Sequence, residues 1–362
     1  MPLYPNELSC TRLVTLENNA FKLKTRLSIQ GEKFYINGKP TYAGKSWQGK
    51  SIEGLLFNSR MVQGIFDDLN PESRNLWKYP DTQSWDPDRN THEFVAAMES
   101  WKKHGLLAFT LNLQGGSPTG YGNKNWINSA FDPNGNLRPD YMNRLNKILQ
   151  KADELGMVVI LGYFYFGQDQ TLLKEADVLQ AVDHATDWLL EKAYQNILIE
   201  INNEADIQYD HDILKAPRVH ELITRVKSKQ KKGFRLLVST SYAGGKIPSV
   251  EIIKNSDFVL LHGNGVSNPA RISQMVDQVR QNTGYTPKPI LFNEDDHYDF
   301  DKEDNNFKAA VKSYASWGFF DFRRPEEADR FSEGFQSIPV DWTISSERKK
   351  AFFLQLKEIT GE

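Results

Sequence analysis

One cysteine, Cys10, occurs in 362 residues, which excludes an intrachain disulfide and any multi-cysteine zinc or iron–sulfur site. No apolar run approaches the ~20 residues needed to span a bilayer, and the first thirty residues lack the apolar core of a signal peptide. These absences predict a water-soluble chain, either cytoplasmic or exported with its leader removed. Charge of either sign is not in excess: 44 Lys and Arg stand against 47 Asp and Glu, a net charge of -3. That balance provides no general attraction to nucleic acid or to a membrane surface, and the one strongly basic run, KSKQKK at 227–232, reads as the solvated end of a helix. A phosphate-binding loop is also lacking. GGSPTGYG (115–122) and SYAGGK (241–246) have neither the Lys-Ser/Thr end nor the immediate helix start that such loops need, so 115–122 reads as a substrate loop.

What is present is a regular series of short apolar runs separated by amphipathic stretches. Strands are expected at TYAGKSW (41–47), LLAFTLNL (106–113), VVILGYFYF (158–166), ILIEIN (197–202), RLLVSTS (235–241), FVLLHG (258–263), PILFNE (289–294) and SWGFFDF (316–322). Helices are expected at 91–105, 139–156, 176–194, 212–231, 269–282, 303–315 and 345–359; Gly105 and Gly156 supply stops and Pro139 a start. Eight strands alternating with helices, without a break in composition, predict one (β/α)8 TIM barrel occupying the whole chain as a single domain. Within 18–40, Asn37-Gly38 marks a tight hairpin turn, so a small hairpin is expected to cap the barrel's N-terminal end. The connection 48–90, leaving strand one, is expected to wall the site.

Barrel active sites lie at the C-terminal ends of the strands. There the sequence places Trp47, Asn112, Tyr163, Asn203, Glu204, Tyr242, His262, Asn264, Glu294 and Trp317. Glu204 and Glu294 end strands four and seven and face each other across the mouth. Two carboxylates about 5–5.5 Å apart are the machinery of a retaining glycosidase. The neighbouring amides suit sugar hydroxyls, and aromatics, 12% of the chain with eight Trp among them, suit sugar faces.

These residues resemble the clan of (β/α)8 retaining glycoside hydrolases that includes the cellulase and mannanase families. In that clan an Asn-Glu ending strand four supplies the acid/base and a Glu ending strand seven the nucleophile. Asn203-Glu204 and Glu294, within LFNED, match the two motifs. The resemblance implies that Glu204 is the acid/base, Glu294 the nucleophile and Asn203 a partner of the substrate 2-hydroxyl. It implies sugar contacts for His262 and Trp317, and neither cofactor nor metal. The chain departs from the clan in having Asn112 where an Arg commonly ends strand two, Tyr163 where a His ends strand three, and Asn264 where an aromatic follows the strand-six His. Those positions surround the sugar, so they bear on substrate identity.

The expected function is hydrolysis of a β-linked oligo- or polysaccharide by double displacement. Two rivals stand beside it. A metal-dependent barrel hydrolase would use Asp295, Asp296 and His297 with His262, although strands one to three offer Lys, Asn, Gln and Tyr rather than ligands. A non-catalytic carbohydrate-binding barrel would keep the amides and aromatics without needing either Glu.

Overall fold

A computed structural model describes residues 23–121 and 125–362. Parallel strands Asn58–Arg60, Ala108–Asn112, Val158–Tyr165, Ile197–Asn203 and Leu237–Ser239 lie side by side in chain order, and Gly318–Phe319 pairs with the free edge of the first. Val259–His262 and Ile290–Glu294 form a parallel pair. Short stretches of backbone contact join this pair to the six: Asp257 N–H donates to the Val238 carbonyl at 3.0 Å, and Phe292 and Ser316 N–H donate to the Ser316 and Ile290 carbonyls just before the eighth strand. The result is a (β/α)8 barrel, and its strand ends converge on one mouth.

Helices α1 (Pro87–Lys103), α2 (Pro139–Leu155), α3 (Glu175–Lys192), α4 (Val219–Ser228), α5 (Val250–Asn255), α6 (Pro269–Gln281), α7 (Asn306–Lys312) and α8 (Glu347–Thr360) follow the strands in order. Their ends follow local chemistry. Asp86 caps α1 by accepting from the backbone N–H groups of Asp88 and Arg89, with Pro87 at the first helical position. Gly156 ends α2 at φ +69°, a left-handed conformation that costs glycine nothing. None of the described helices is long and apolar enough to cross a membrane.

The first barrel strand is not where the sequence predicts it. Residues 41–47 form turns, and Ser46–Trp47 pairs with Lys50–Ser51 in a small separate hairpin. The true first strand lies inside the expected loop, and the connection leaving it runs only from 61 to 86. That connection is well packed: Trp77 donates to Asp68 at 2.7 Å, and Tyr79 stacks on Trp85 beneath the Arg89 guanidinium.

The hairpin cap is found, with three strands rather than two. Leu27–Gln30, Lys33–Ile36 and Lys39–Pro40 form an antiparallel sheet, and Asn37 and Gly38 take positive φ in the second turn. Leu27 N–H donates to the Gln195 carbonyl just ahead of strand four, and buried Phe34 meets Phe258 just ahead of strand six. The sheet therefore lies at the N-terminal end of the barrel, opposite the mouth.

Candidate active site

Strand four delivers three of the site's side chains. Glu200 is fully buried; it accepts from Ser241 Oγ at 2.5 Å and from Asn293 Nδ2 at 3.1 Å. Asn203 ends the strand, and Glu204 follows at φ +57°, a left-handed conformation that costs a non-glycine residue of order 1–3 kcal/mol. Ser241 Oγ accepts the Glu204 N–H at 3.0 Å, and Ala205 N–H donates to the Ser241 carbonyl at 2.9 Å. Strand five thus holds the strained turn that aims Glu204 into the mouth.

Glu294 ends strand seven. One of its carboxylate oxygens, one of Glu204 and a ring nitrogen of His262 all lie within 4.8 Å of one another. Arg60, at the end of the first strand, brings Nη1 to 2.6 Å from Glu294 Oε2, and the same Nη1 donates to Asn203 Oδ1 at 3.1 Å. With Oδ1 engaged, the Asn203 amide keeps its Nδ2 donor for another partner. Asn264 Nδ2 donates to Glu294 Oε1 at 2.5 Å. Burial raises the Glu294 pKa, while the Arg60 and His262 charges and the Asn264 hydrogen bond oppose that rise.

His262 is fully buried, with Nδ1 3.0 Å from Glu204 Oε1, 3.7 Å from Glu294 Oε2, and Nε2 3.7 Å from Glu200 Oε1. Burial alone would lower its pKa, but the surrounding carboxylates outweigh that and raise it to about 10. Two cations, Arg60 and His262, therefore sit among three carboxylates, Glu200, Glu204 and Glu294. Glu204, His262 and Glu294 lie close enough to share an ion, but the Arg60 guanidinium already pairs with Glu294. The second acidic group is committed elsewhere. Asp295 accepts from Trp317 Nε1, Asn306 Nδ2 and the His297 N–H, and Asp296 from the Gly265 N–H, His297 Nδ1 and the Tyr121 hydroxyl.

Of the residues expected from sequence, Asn203, Glu204, His262, Asn264 and Glu294 converge. Five others do not join them by hydrogen bond. Trp47 lies beside the C-terminal helix and donates to Glu358 of α8 at 3.0 Å, because its hairpin is not a barrel strand. Tyr163 turns outward, its hydroxyl 3.2 Å from Thr186 of α3. Trp317 is fully enclosed, stacked on Phe307 with 4.8 Å between ring centroids, and has no face left for a sugar. Asn112 is buried against Gly162, where a Cβ would meet its Oδ1 at 2.4 Å. Tyr242 packs half-buried against the core beyond strand five. The expectation of Trp platforms fails more widely. Trp47, Trp77, Trp101, Trp126, Trp317 and Trp342 are buried, and Trp85 and Trp188 are half-buried.

Arg60 and Glu200 are not among the residues expected from sequence, and Ser241 is expected only as a residue at the end of strand five. Arg60 did leave a signal: it interrupts the run LLFNSRMV, whose flanking apolar residues are all buried, and a buried arginine needs carboxylates.

No protein-family model matches the chain, and no curated protein matches its sequence. Solved structures match its shape. The endo-1,4-β-mannanase of Rhizomucor miehei aligns with a TM-score of 0.56 over 93% of this chain and 99% of its own, at 11% identity. A glycoside hydrolase family 5 protein of Bacteroides vulgatus gives 0.55 over 92% and 70%, at 14% identity. The β-glucanase of Saccharophagus degradans, solved with cellotetraose, gives 0.54 over 94% and 95%, at 12% identity. The fold is that of the (β/α)8 glycoside hydrolases. At these identities the likeness concerns the fold of family 5 enzymes, and the chemistry has to be argued from this chain's own side chains.

Proposed function

We propose that the protein is a retaining β-glycosidase acting on a β-linked oligo- or polysaccharide, with Glu294 as nucleophile and Glu204 as acid and then base. The observation that carries this reading is the approach of Glu204 and Glu294 oxygens to within 4.8 Å across the mouth. A nearest approach of that size fits the closely set carboxyl pair of a retaining enzyme. The β-linked substrates named for the structural neighbours, mannan and cellotetraose, support the choice of substrate class.

Hydrogen bonding supports the division of roles. Glu200 accepts at both oxygens, and Glu294 accepts from Asn264 with Arg60 at its other oxygen. Among the described residues Glu204 accepts only from His262, at Oε1, and its side chain is the most open of the three at 10% exposure. A buried cluster of two cations and three acids is neutral when one acid keeps its proton. The reading puts the transferable proton on Glu204 Oε2, which has no hydrogen-bond partner among the described residues.

In the first step a Glu294 oxygen attacks the anomeric carbon. The bond to the leaving oxygen breaks as the Glu204 proton passes to it. The glycosyl ester on Glu294 has lost its negative charge. Glu204, now a carboxylate, takes a proton from water, whose oxygen attacks the same carbon and restores the Glu294 carboxylate. Each attack inverts the centre, so the product keeps the β configuration. In this reading Asn203 Nδ2 donates to the 2-hydroxyl, and neither metal nor cofactor is used.

Sugar release from β-glycans and aryl β-glycosides by wild type, Glu204→Ala and Glu294→Ala tests the reading. Wild type should cleave at least one substrate, and both folded variants should lose nearly all of that activity. A variant with wild-type turnover would overturn the assignment, and glycan binding by all three proteins without cleavage would favour the carbohydrate-binding barrel.

A further inference from the structure

A cavity of about 520 Å³, whose lining includes Pro118, Tyr121, Phe322, Arg323, Arg324 and Ile338, is linked to the Glu204–Glu294 site through Tyr121. Tyr121 connects the two places. Its hydroxyl bonds Asp296, two residues beyond Glu294; its ring meets Phe320 at 5.6 Å; and Phe320 lies under the Arg60 guanidinium at 5.4 Å. Burial and the Asp296 carboxylate raise the Tyr121 pKa, with smaller contributions from the Glu294 and Glu204 charges. Gly120, at φ +105°, lets the 115–121 loop close onto the Phe322 ring, where a Cβ would come within 2.3 Å.

The charge on this wall is unbalanced. Arg348 takes the nearby acids, pairing with Asp321 at 3.0 Å, Glu327 at 2.5 Å and Glu333 at 3.3 Å. Arg323 pairs with no carboxylate among the described residues. Its Nη2 donates to the Ser337 and Ile338 carbonyls at 3.0 and 2.7 Å, and burial lowers its pKa to about 10 with no compensating acid. Among the described residues its Nε and Nη1 have no hydrogen-bond partner. Arg324 lines the same cavity over Phe322, its guanidinium 5.8 Å from the ring centroid. Tyr121, 51% exposed, supplies an open aromatic edge. Arg324 also donates to the Tyr298 hydroxyl at 3.4 Å, but neither guanidinium forms an ion pair among the described residues, and such groups set among aromatic rings are suited to a sugar that carries an anion.

We propose that this cavity is a subsite for an acidic sugar, with Arg323 binding the carboxylate of a uronic acid unit and Tyr121 and Phe322 packing on its ring. The proposal deepens the glycosidase reading and rests on it for the placing of the substrate chain. It predicts a preference for β-linked glycans that carry uronate over the same chains carrying hydroxymethyl groups.

The test is direct binding to the full chain made inactive by Glu294→Gln. The probes are β-1,4-glucuronan and β-1,4-mannuronan tetrasaccharides, each compared with its carboxyl-reduced counterpart, and cellotetraose sulfated at O6. At least one uronate should bind about ten- to a hundredfold more tightly than its reduced form, the value of a charge-assisted hydrogen bond. That preference should fall with added salt and shrink towards parity in Arg323→Gln, with a smaller loss in Arg324→Gln. Should Arg323→Gln not fold, the Arg324→Gln variant and the salt dependence decide. Equal binding of charged and reduced forms would overturn the proposal, as would a preference that survives both substitutions. A preference for the sulfated chain alone would overturn the carboxylate assignment. Because binding is read without turnover, a uronate preference in a protein that cleaves nothing would sustain the subsite and sink the catalytic reading; cleavage of neutral chains without the preference would do the reverse.

Discussion

A guanidinium with 1% of its surface exposed is stable only among acids, and Arg60 meets that condition with Glu294 at 2.6 Å. Removing it leaves a buried carboxylate without its nearest counter-charge. Arg60→Met should therefore destabilise the fold by about 3–5 kcal/mol and lower kcat/KM by about a hundredfold or more. A pH–rate profile separates that loss from simple misfolding. Burial already raises the Glu294 pKa and Arg60 opposes the rise, so losing Arg60 should move the acid limb to higher pH. An unmoved limb would mean that Arg60 does not set the ionisation of Glu294. At this scale the acids were legible because both sit beside an Asn at the end of an apolar run. Arg60 was not, since it follows Asn58 and Ser59, and a polar triplet reads as a loop until burial is known. Glu200 was hidden in the opposite way, inside ILIEIN, where an acid in an apolar strand looks like a solvent-facing alternation.

Most elements were legible because their periodicity is long enough to be read. Helices α1, α2, α3, α6 and α8 begin and end within a few residues of expectation, and strands two, three, four, six and seven coincide with continuous apolar runs. The failures are short or polar. The first strand has three residues, and α5 has six, less than two turns. Helix α4 starts at Val219 rather than 212, because 212–214 is a separate tight turn. The hairpin of Trp47 attracted the first-strand assignment through its aromatics, yet it packs at the end opposite the chemistry. Trp47→Phe should accordingly cost about 1 kcal/mol through the lost hydrogen bond to Glu358, with kcat/KM unchanged. Chemical denaturation and steady-state assays check the pair; a loss of kcat/KM in a stably folded variant would restore Trp47 to the site.

At the scale of the whole molecule, the buried charges make stability depend on pH. His262 has a folded pKa near 10 against 6.5 when unexposed to partners, so the folded state holds its proton more tightly than the unfolded chain. The stabilisation is complete below pH 6.5 and is lost as pH rises towards 10. Asp295, raised by burial to about 8 from 3.8, has the same sign over its own lower window. His262→Gln should flatten the first dependence and leave the second. Thermal unfolding across both windows reads the difference, and equal slopes for wild type and variant above pH 6.5 would contradict a charged His262. The barrel itself was legible from eight repeated units. The charge cluster was not, because it assembles from the first, fourth, sixth and seventh strands, which the sequence separates by more than two hundred residues between Arg60 and Glu294.

The double displacement makes one demand that no rival shares, a covalent bond between sugar and enzyme. Incubation with 2-deoxy-2-fluoro β-glycosides bearing a good leaving group, followed by mass spectrometry of the intact chain and its peptides, tests it directly. The predicted result is one added fluorosugar, mapped to Glu294 within PILFNED, and absent from Glu294→Ala. Turnover of the parent glycosides with no adduct, or an adduct on another residue, would contradict the assignment of Glu294 as nucleophile.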